Sequence, residues 1–257
     1  MNQRQIAWMR ARFWAYAPLL PKLVLEGRSV RARTPRLPEA SGPREFRFGS
    51  DGPPFRLALI GESTAVGVGV ERQEDGLGHA LGAYLHEALC RPIELSIVGE
   101  NGATLGDLAE RCLGSVSADL DLALIVIGVN DTTSLTSGRS LRRTALHVID
   151  ALRERGIREI AFAGIPPIEQ FTALPPTMRV VLGTRAHYLE CVLMATLREA
   201  GGHYLRVPFG EIAEHLAVDG FHPSATGYRQ WAALLAEALI ERLPALRHSH
   251  RPFGSGS

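Results

Sequence analysis

The sequence predicts an α/β fold, a three-layer α/β/α sandwich with a mostly parallel five-stranded sheet. Short apolar segments alternate with amphipathic stretches of helical length, which is typical of a parallel sheet covered by helices on both faces. Some of these apolar segments are uninterrupted, as in strands that are buried on both sides. Glycine or polar residues follow them at once, and ligands bind at the carboxyl edge of such sheets.

Five segments carry the strand pattern. Residues 57–60 are four consecutive apolar residues that end at Gly61, and residues 122–127 are six that end at Gly128. Residues 93–98 lie between Pro92 and Gly99. The other predicted strands are residues 159–164 and the short segment 204–207. The first two segments predict the centre of the sheet, because only central parallel strands need so many successive apolar residues.

Helices are predicted between these strands, over residues 77–89, 104–113, 140–155, 184–199 and 228–243. Gly156 ends the third of them, since glycine readily adopts the left-handed conformation that closes a helix. Residues 165–183 break the alternation with four prolines among apolar residues. This segment is too long for a simple connection and predicts a loop at the carboxyl edge of the sheet.

The chain divides into a basic N-terminal helix with a proline-rich connector (1–55), one α/β domain (56–246) and a flexible tail (247–257). Residues 1–47 hold ten basic and three acidic side chains, a net charge of +7, so that the rest of the chain sums to −6. Apolar residues recur at helical spacing near the N-terminus, at Ile6, Met9, Phe13, Tyr16 and Leu20. This stripe predicts packing against the domain, with peripheral membrane contact as the alternative.

Composition excludes several classes of protein. A mildly acidic domain argues against nucleic-acid binding. Three widely spaced cysteines, Cys90, Cys112 and Cys191, predict reduced core residues rather than disulfides or a zinc site. The N-terminus lacks the pattern of a secretory signal, and no segment reaches the length of a membrane span. The expectation is a cytoplasmic protein, peripheral to a membrane in the alternative case; the sequence leaves its oligomeric state open.

Four loops at strand ends carry polar or glycine residues: 61–63 (Gly-Glu-Ser), 101–106 (Asn-Gly-Ala-Thr-Leu-Gly), 128–131 (Gly-Val-Asn-Asp) and 219–223 (Asp-Gly-Phe-His-Pro). Their order and intervals resemble the four sequence blocks of the SGNH (GDSL-type) hydrolases, over about residues 56 to 243. The resemblance implies the flavodoxin-like fold of that family and a serine esterase or acylhydrolase without metal or organic cofactor. Each block alone is weak, because serine caps and Asp-Gly turns are common in loops.

Acyl transfer from an ester needs a nucleophile, an oriented base and donors for the negative oxygen of the intermediate. Ser63 is the candidate nucleophile, His222 the base, and Asp219 the acid that orients it. The family resemblance implies three oxyanion donors: the backbone N–H groups of Ser63 and Gly106 and the side-chain amide of Asn130. A metal site on Asp219, His222 and nearby His215 ranks below this triad, because no second cluster of ligands supports it.

Other motifs fit less well. The nucleophile elbow of α/β-hydrolases needs glycine at position 65, which is alanine here, and a phosphate loop needs a lysine that this part of the chain lacks. Glu62 departs from the resemblance, because the family's first block has aspartate there. We expect Glu62 to brace the neighbouring loops and the substitution to be tolerated.

The expected substrate is a small-molecule or lipid-like carboxylic ester. Phe171, Leu174 and Met178 of the proline-rich loop are candidates for an acyl pocket or lid, and a cover for the sheet's end is an equal alternative. An acyltransferase or a carbohydrate O-acetylesterase would use the same residues. The alternative from another class is a binding module that keeps the fold without turnover.

Overall fold

The computed structural model describes residues 3–243 and residue 246, so the predicted tail 247–257 lies outside the described residues. Within that part of the chain, six strands form one sheet: β1 (Glu45–Phe48), β2 (Phe55–Gly61), β3 (Ile93–Gly99), β4 (Leu122–Val126), β5 (Glu159–Ala163) and β6 (His203–Leu205). Their order across the sheet is β1-β3-β2-β4-β5-β6. All neighbouring pairs are parallel except β1 with β3. The α/β fold class is confirmed.

The central strands are those with the longest apolar segments. All five residues of β4 are buried, as are six of the seven in β2. The register pairs Gly61 at the end of β2 with Gly99 of β3 and Val126 of β4. The loops that follow these three strands therefore begin at one level, at the same edge of the sheet.

The helices are α1 (Gln3–Trp14), α2 (Leu20–Arg33), α3 (Leu77–Leu89), α4 (Leu105–Arg111), α5 (Val129–Thr133), α6 (Gly138–Glu154), α7 (Pro176–Ala200) and α8 (Ala225–Arg242). Two apolar clusters separate them into layers. Buried residues of α3 and α8 fill one side of the sheet, and those of α4, α6 and α7 fill the other. The three layers of the predicted sandwich are thus present.

The sheet has six strands where five were predicted. The additional strand β1 lies inside the segment predicted as a connector, and it pairs antiparallel at the edge of the sheet. Its four residues alternate between exposed and half-buried positions, a weak signal among prolines and charged residues. The boundary of the domain at residue 56 stays a prediction.

Two further predictions need correction. Helix α7 begins at Pro176, eight residues before its predicted start, because proline is favoured in the first turn of a helix. The proline-rich loop is correspondingly shorter. Cys90 is exposed at the end of α3 and does not belong to the core, whereas Cys112 is buried and Cys191 half-buried.

The N-terminal segment forms two helices. Ile6 and Met9 of α1 pack against the core, as predicted for the apolar stripe, whereas Leu20 at the start of α2 is exposed. The described helices include none with the length and apolar character needed to cross a bilayer.

Candidate active site

Ser63 lies in a tight turn just beyond the carboxyl end of β2 and is almost completely buried. The backbone N–H of Glu62 donates to the Val126 carbonyl at 3.1 Å, which ties the start of the turn to β4. The chain then folds behind the serine, where the N–H of Val68 donates to the Ser63 carbonyl at 3.0 Å. The nucleophile candidate is therefore held by backbone bonds on both sides.

Two contacts bring this turn to the loop that carries His222. A Cβ at Gly69 would lie 2.4 Å from the carbonyl oxygen of Pro223, so only glycine permits this approach. The buried hydroxyl of Tyr228 on α8 donates to the Val68 carbonyl at 2.6 Å. Residues more than 150 positions apart in the chain thus meet at the edge of the sheet.

The three residues predicted as a triad form one continuous line of hydrogen bonds. Ser63 Oγ lies 2.9 Å from His222 Nε2, and His222 Nδ1 lies 2.6 Å from Asp219 Oδ2. The other carboxylate oxygen of Asp219 accepts from the backbone N–H groups of Phe221 and His222, each at 3.0 Å. The three-residue spacing lets one turn hold both the imidazole and the group that orients it.

Asp219 is 5% exposed. Burial by itself raises the pKa of this carboxyl, but the hydrogen bonds from the His222 ring and the Phe221 N–H outweigh it, and the pKa falls below its ordinary value. The aspartate is consequently ionised across the range in which an imidazole titrates. An ionised Asp219 fixes the proton of the imidazole on Nδ1 and leaves Nε2 as an acceptor for the serine hydroxyl.

Glu62 joins the serine turn to the start of α5. Its two carboxylate oxygens accept from the N–H groups of Val129 and Asn130, each at 3.0 Å. Burial raises the pKa of Glu62 from 4.5 to about 7, against the lowering effect of these two bonds. These bonds are those expected of a brace between the two loops.

Asn130 and the residues that follow it are held by three further sets of contacts. Its side-chain Nδ2 donates to the Ala103 carbonyl at 3.2 Å, which brings the loop after β3 beside it. The adjacent Asp131 accepts from the N–H of Leu105 at 3.0 Å. Arg185 donates to the carbonyl of Thr132 in α5 at 3.0 Å and to that of Thr136, just beyond the helix, at 2.6 Å.

Gly106 is the second residue of α4, and neither it nor Gly102 is among the residues that line the cavity in front of Ser63. Gly102 is the glycine that adjoins Ala103, and its φ of +82° places it in a left-handed turn. Thr104 caps α4 by accepting from the N–H of Asp107, and the helix begins at Leu105, one residue after its predicted start.

A cavity of about 280 Å³ opens in front of Ser63 and His222. Phe171 lines it, but Leu174 and Met178 do not. Leu174 is buried in the core, and Met178 lies in the first turn of α7 and packs against the core. Most of the cavity's apolar wall comes from the segment 209–221 and from α8, and the role of these residues was not predicted from the sequence: Phe209, Ile212, Leu216, Phe221, Trp231 and Leu234.

A parallel sheet with a serine, a histidine and an aspartate in hydrogen-bonded line at its carboxyl edge defines a class, the α/β/α proteins with a hydrolase-like triad. The particular family is clear from sequence. The chain belongs to the GDSL-like lipase/acylhydrolase family, whose model matches residues 59–230. This range contains Ser63, Asn130, Asp219 and His222.

The chain is 32% identical over 197 residues to the GDSL-like esterase Rv1075c of Mycobacterium tuberculosis. The matched region covers 73% of this chain and 62% of that relative, so the chain spans less than two thirds of the relative's length.

Solved structures share the fold at lower identity. TesA superposes with a TM-score of 0.58 at 20% identity, over 74% of this chain and 99% of that one. The esterase EstA from Pseudoalteromonas sp. gives 0.57 at 15% identity, over 76% and 99%. The lipase/acylhydrolase from Enterococcus faecalis gives 0.53 at 17% identity, over 73% and 96%.

Proposed function

We propose that the chain is a serine esterase that cleaves carboxylic esters through an acyl-enzyme. The observation that carries this proposal is the hydrogen-bonded line from Ser63 through His222 to Asp219 at the mouth of an apolar cavity. Membership of the GDSL-like lipase/acylhydrolase family supports it. A similar protein, EstA, has a solved structure inhibited by monoethylphosphonate, which is consistent with phosphonates as probes of such a site.

In the proposed reaction, Ser63 Oγ attacks the ester carbonyl while His222 Nε2 takes its proton. The carbonyl oxygen becomes negative, the ester C–O bond breaks, and His222 returns the proton to the departing alkoxide. A water molecule then attacks the acyl carbon and gives one proton to His222. The bond between Ser63 Oγ and the acyl carbon breaks, His222 returns the proton to Ser63 Oγ, and the carboxylic acid leaves. Asp219 stabilises the imidazolium that forms in both halves.

The proposed oxyanion donors are the N–H of Ser63, the side-chain amide of Asn130 and the N–H of Gly106. An asparagine amide has two N–H groups, so the bond from Asn130 to Ala103 leaves one for the substrate. The N–H of Gly106 lies in the first turn of α4, where backbone N–H groups have no partner within the helix. Losing one such donor costs on the order of 100- to 1,000-fold in rate.

We propose an apolar acyl chain as the substrate's acid part, in preference to a sugar acetate. The cavity wall carries three phenylalanines and Trp231 besides the aliphatic Ile212, Leu216 and Leu234. Binding in such a pocket is stabilised by about 0.8 kcal/mol for each substrate methylene that is removed from water. Leu234→Trp should fill the cavity. It should lower kcat/KM for p-nitrophenyl hexanoate by at least about tenfold and leave kcat/KM for p-nitrophenyl acetate unchanged. Met178→Leu, outside the cavity, is the matched control.

The test of the reaction itself is turnover of p-nitrophenyl butyrate. Ser63→Ala should lower kcat by at least about 10,000-fold, because a triad without its nucleophile retains only the contribution of binding and the oxyanion donors. The thermal midpoint should stay within a few degrees of the parent protein. Ser117→Ala, at an exposed serine far along the chain, should leave turnover unchanged. Equal activity in the two variants would exclude the proposed mechanism.

A further inference from the structure

Exposed apolar side chains are concentrated on α1, α2 and the turn between them. Nine large hydrophobic side chains are exposed among the described residues, and six of them lie between residues 8 and 25: Trp8, Trp14, Leu19, Leu20, Val24 and Leu25. Trp8, Trp14 and Leu25 are each exposed by 60% or more. Soluble proteins seldom leave so many apolar side chains together in water without a surface that covers them.

Helix α1 is apolar on two faces. Ile6, Met9 and Phe13 face inward; the first two pack on the core, and the Phe13 ring lies 4.8 Å from the Arg185 guanidinium. The outward side carries both tryptophans and three exposed alanines, at positions 7 and 11 of the helix and at 15 just after it. Arg4, Arg10 and Arg12 are exposed on the same helix. This mixture of apolar and basic side chains is suited to the boundary between an apolar phase and water.

Basic side chains border this outer surface. Residues 3–33 hold seven of them and one acidic residue, a net charge of +6, and all seven are exposed: Arg4, Arg10, Arg12, Lys22, Arg28, Arg31 and Arg33. Within the part of the chain that the structure describes, Lys22 is the member of this set that pairs with a carboxylate, that of Glu26 at 3.7 Å. Arg12 instead lies over the Trp8 ring, 5.6 Å from its centroid.

We propose that the N-terminal helix pair, residues 3–33, docks on the surface of an anionic lipid bilayer. Tryptophan is the residue that membrane interfaces favour most, and arginine stems can lie on apolar surface while their charges reach lipid phosphates. Charge complementarity selects this occupant over a second copy of the chain. A symmetric dimer through the same patch would place one +6 surface against another.

The docked surface is connected to the candidate active site. Phe13 of α1 contacts Arg185, and Arg185 binds the carbonyls of Thr132 and Thr136 in the segment that follows Asn130. Docking through α1 and α2 places the bilayer beside the helix that contacts this segment. The surface is a property of the helix pair, and its existence does not depend on the esterase reaction.

The test is cosedimentation of the full chain with vesicles of phosphatidylcholine that contain about one third phosphatidylglycerol, against vesicles of phosphatidylcholine alone. The protein should bind the anionic vesicles at about 0.1 M salt and be released at about 1 M, where the Debye length falls from ~10 to ~3 Å. Binding to both vesicle types alike, or to neither, would overturn the proposal.

Two pairs of variants separate the contributions of the tryptophan and arginine side chains to vesicle binding. Trp8→Ser with Trp14→Ser should lower the partition coefficient by at least about tenfold. Arg10→Ser with Arg28→Ser should lower it by ~25-fold, about fivefold for each charge. The matched control is Arg139→Ser with Arg143→Ser, which removes the same charge from exposed positions on α6 and should change binding little.

Circular dichroism and the thermal midpoint show whether each variant is folded. Equal binding by the tryptophan pair and the parent, with both folded, would overturn the proposal. So would light scattering that shows a dimer dissociated by the tryptophan variants without any vesicle binding, since the surface would then belong to a second copy.

Discussion

Replacing Glu62 with glutamine tests the buried carboxylate that joins the serine turn to α5. Burial raises the pKa of this group from 4.5 to about 7. An acid whose pKa is raised by folding contributes stability that is fully present below about pH 4.5 and is lost as the pH rises to about 7. The difference between the two values corresponds to about 3 kcal/mol, since one pH unit is worth ~1.4 kcal/mol. Glutamine does not titrate and avoids this loss.

The measurement is the free energy of unfolding in urea at pH values between about 4.5 and 7.5. As the pH rises over this range, the free energy of unfolding of Glu62→Gln should increase by about 3 kcal/mol relative to that of the parent protein. Asp219 contributes a slope of the opposite sign, because its pKa is lowered in the fold, but it is present in both proteins and cancels. Glu154→Gln, at an exposed position on α6, controls for the loss of a carboxylate.

A difference that is constant to within ~0.5 kcal/mol across the range would refute the reasoning, since surface substitutions alone vary by that amount. It would mean that Glu62 is ionised throughout this range, because the bonds from the N–H groups of Val129 and Asn130 stabilise its charged form more than burial destabilises it.

Three other predictions follow from the same contacts. Gly106→Ala should stabilise α4 by about 0.5 to 1 kcal/mol without affecting kcat, because its new Cβ lies 3.5 Å from the nearest atom. Gly102→Ala should instead cost about 1 kcal/mol of stability, since its φ of +82° strains alanine; urea unfolding and butyrate kinetics measure these effects, and equal stability of the two variants would contradict the difference. Arg185→Met should cost at least about 2 kcal/mol and lower kcat more than it changes KM, because it leaves the Thr136 carbonyl without its side-chain donor and removes the shortest of the bonds to the Thr132 carbonyl; unchanged stability and kcat would contradict this role.

The sequence predicted those parts of the site that local chemistry specifies. Ser63 follows an apolar segment that only a central strand explains, and Asp219 and His222 share one turn. Glycine at 61 and 128 marks the ends of the strands concerned. These residues meet because parallel strands end at one edge of a sheet, so their proximity follows from the fold class.

The cavity wall was not predictable in the same way. Trp231 has the spacing of a core residue of α8, and Phe209 lies in a short irregular segment after β6. They meet at the cavity only through long-range packing, with ring centroids 5.6 Å apart. Met178 was misassigned because prolines at 175 and 176 predict a loop, although the second of them begins a helix.

Gly106 was chosen from its motif, and its role as an oxyanion donor stays a prediction. Its place in the first turn of α4 follows from capping, because Thr104 and Asp107 form the bonds that start the helix at Leu105. Strand β1 was missed because a four-residue edge strand carries little periodic signal.

The central claim is that Ser63 is a nucleophile activated by His222. Its most direct measurement is labelling of the folded protein with a fluorophosphonate, followed by mass spectrometry of the peptides. We expect a single adduct on the peptide that contains Ser63, none in Ser63→Ala, and greatly slowed labelling in His222→Ala. Absence of labelling in the folded parent protein, or an adduct that persists in Ser63→Ala, would contradict it.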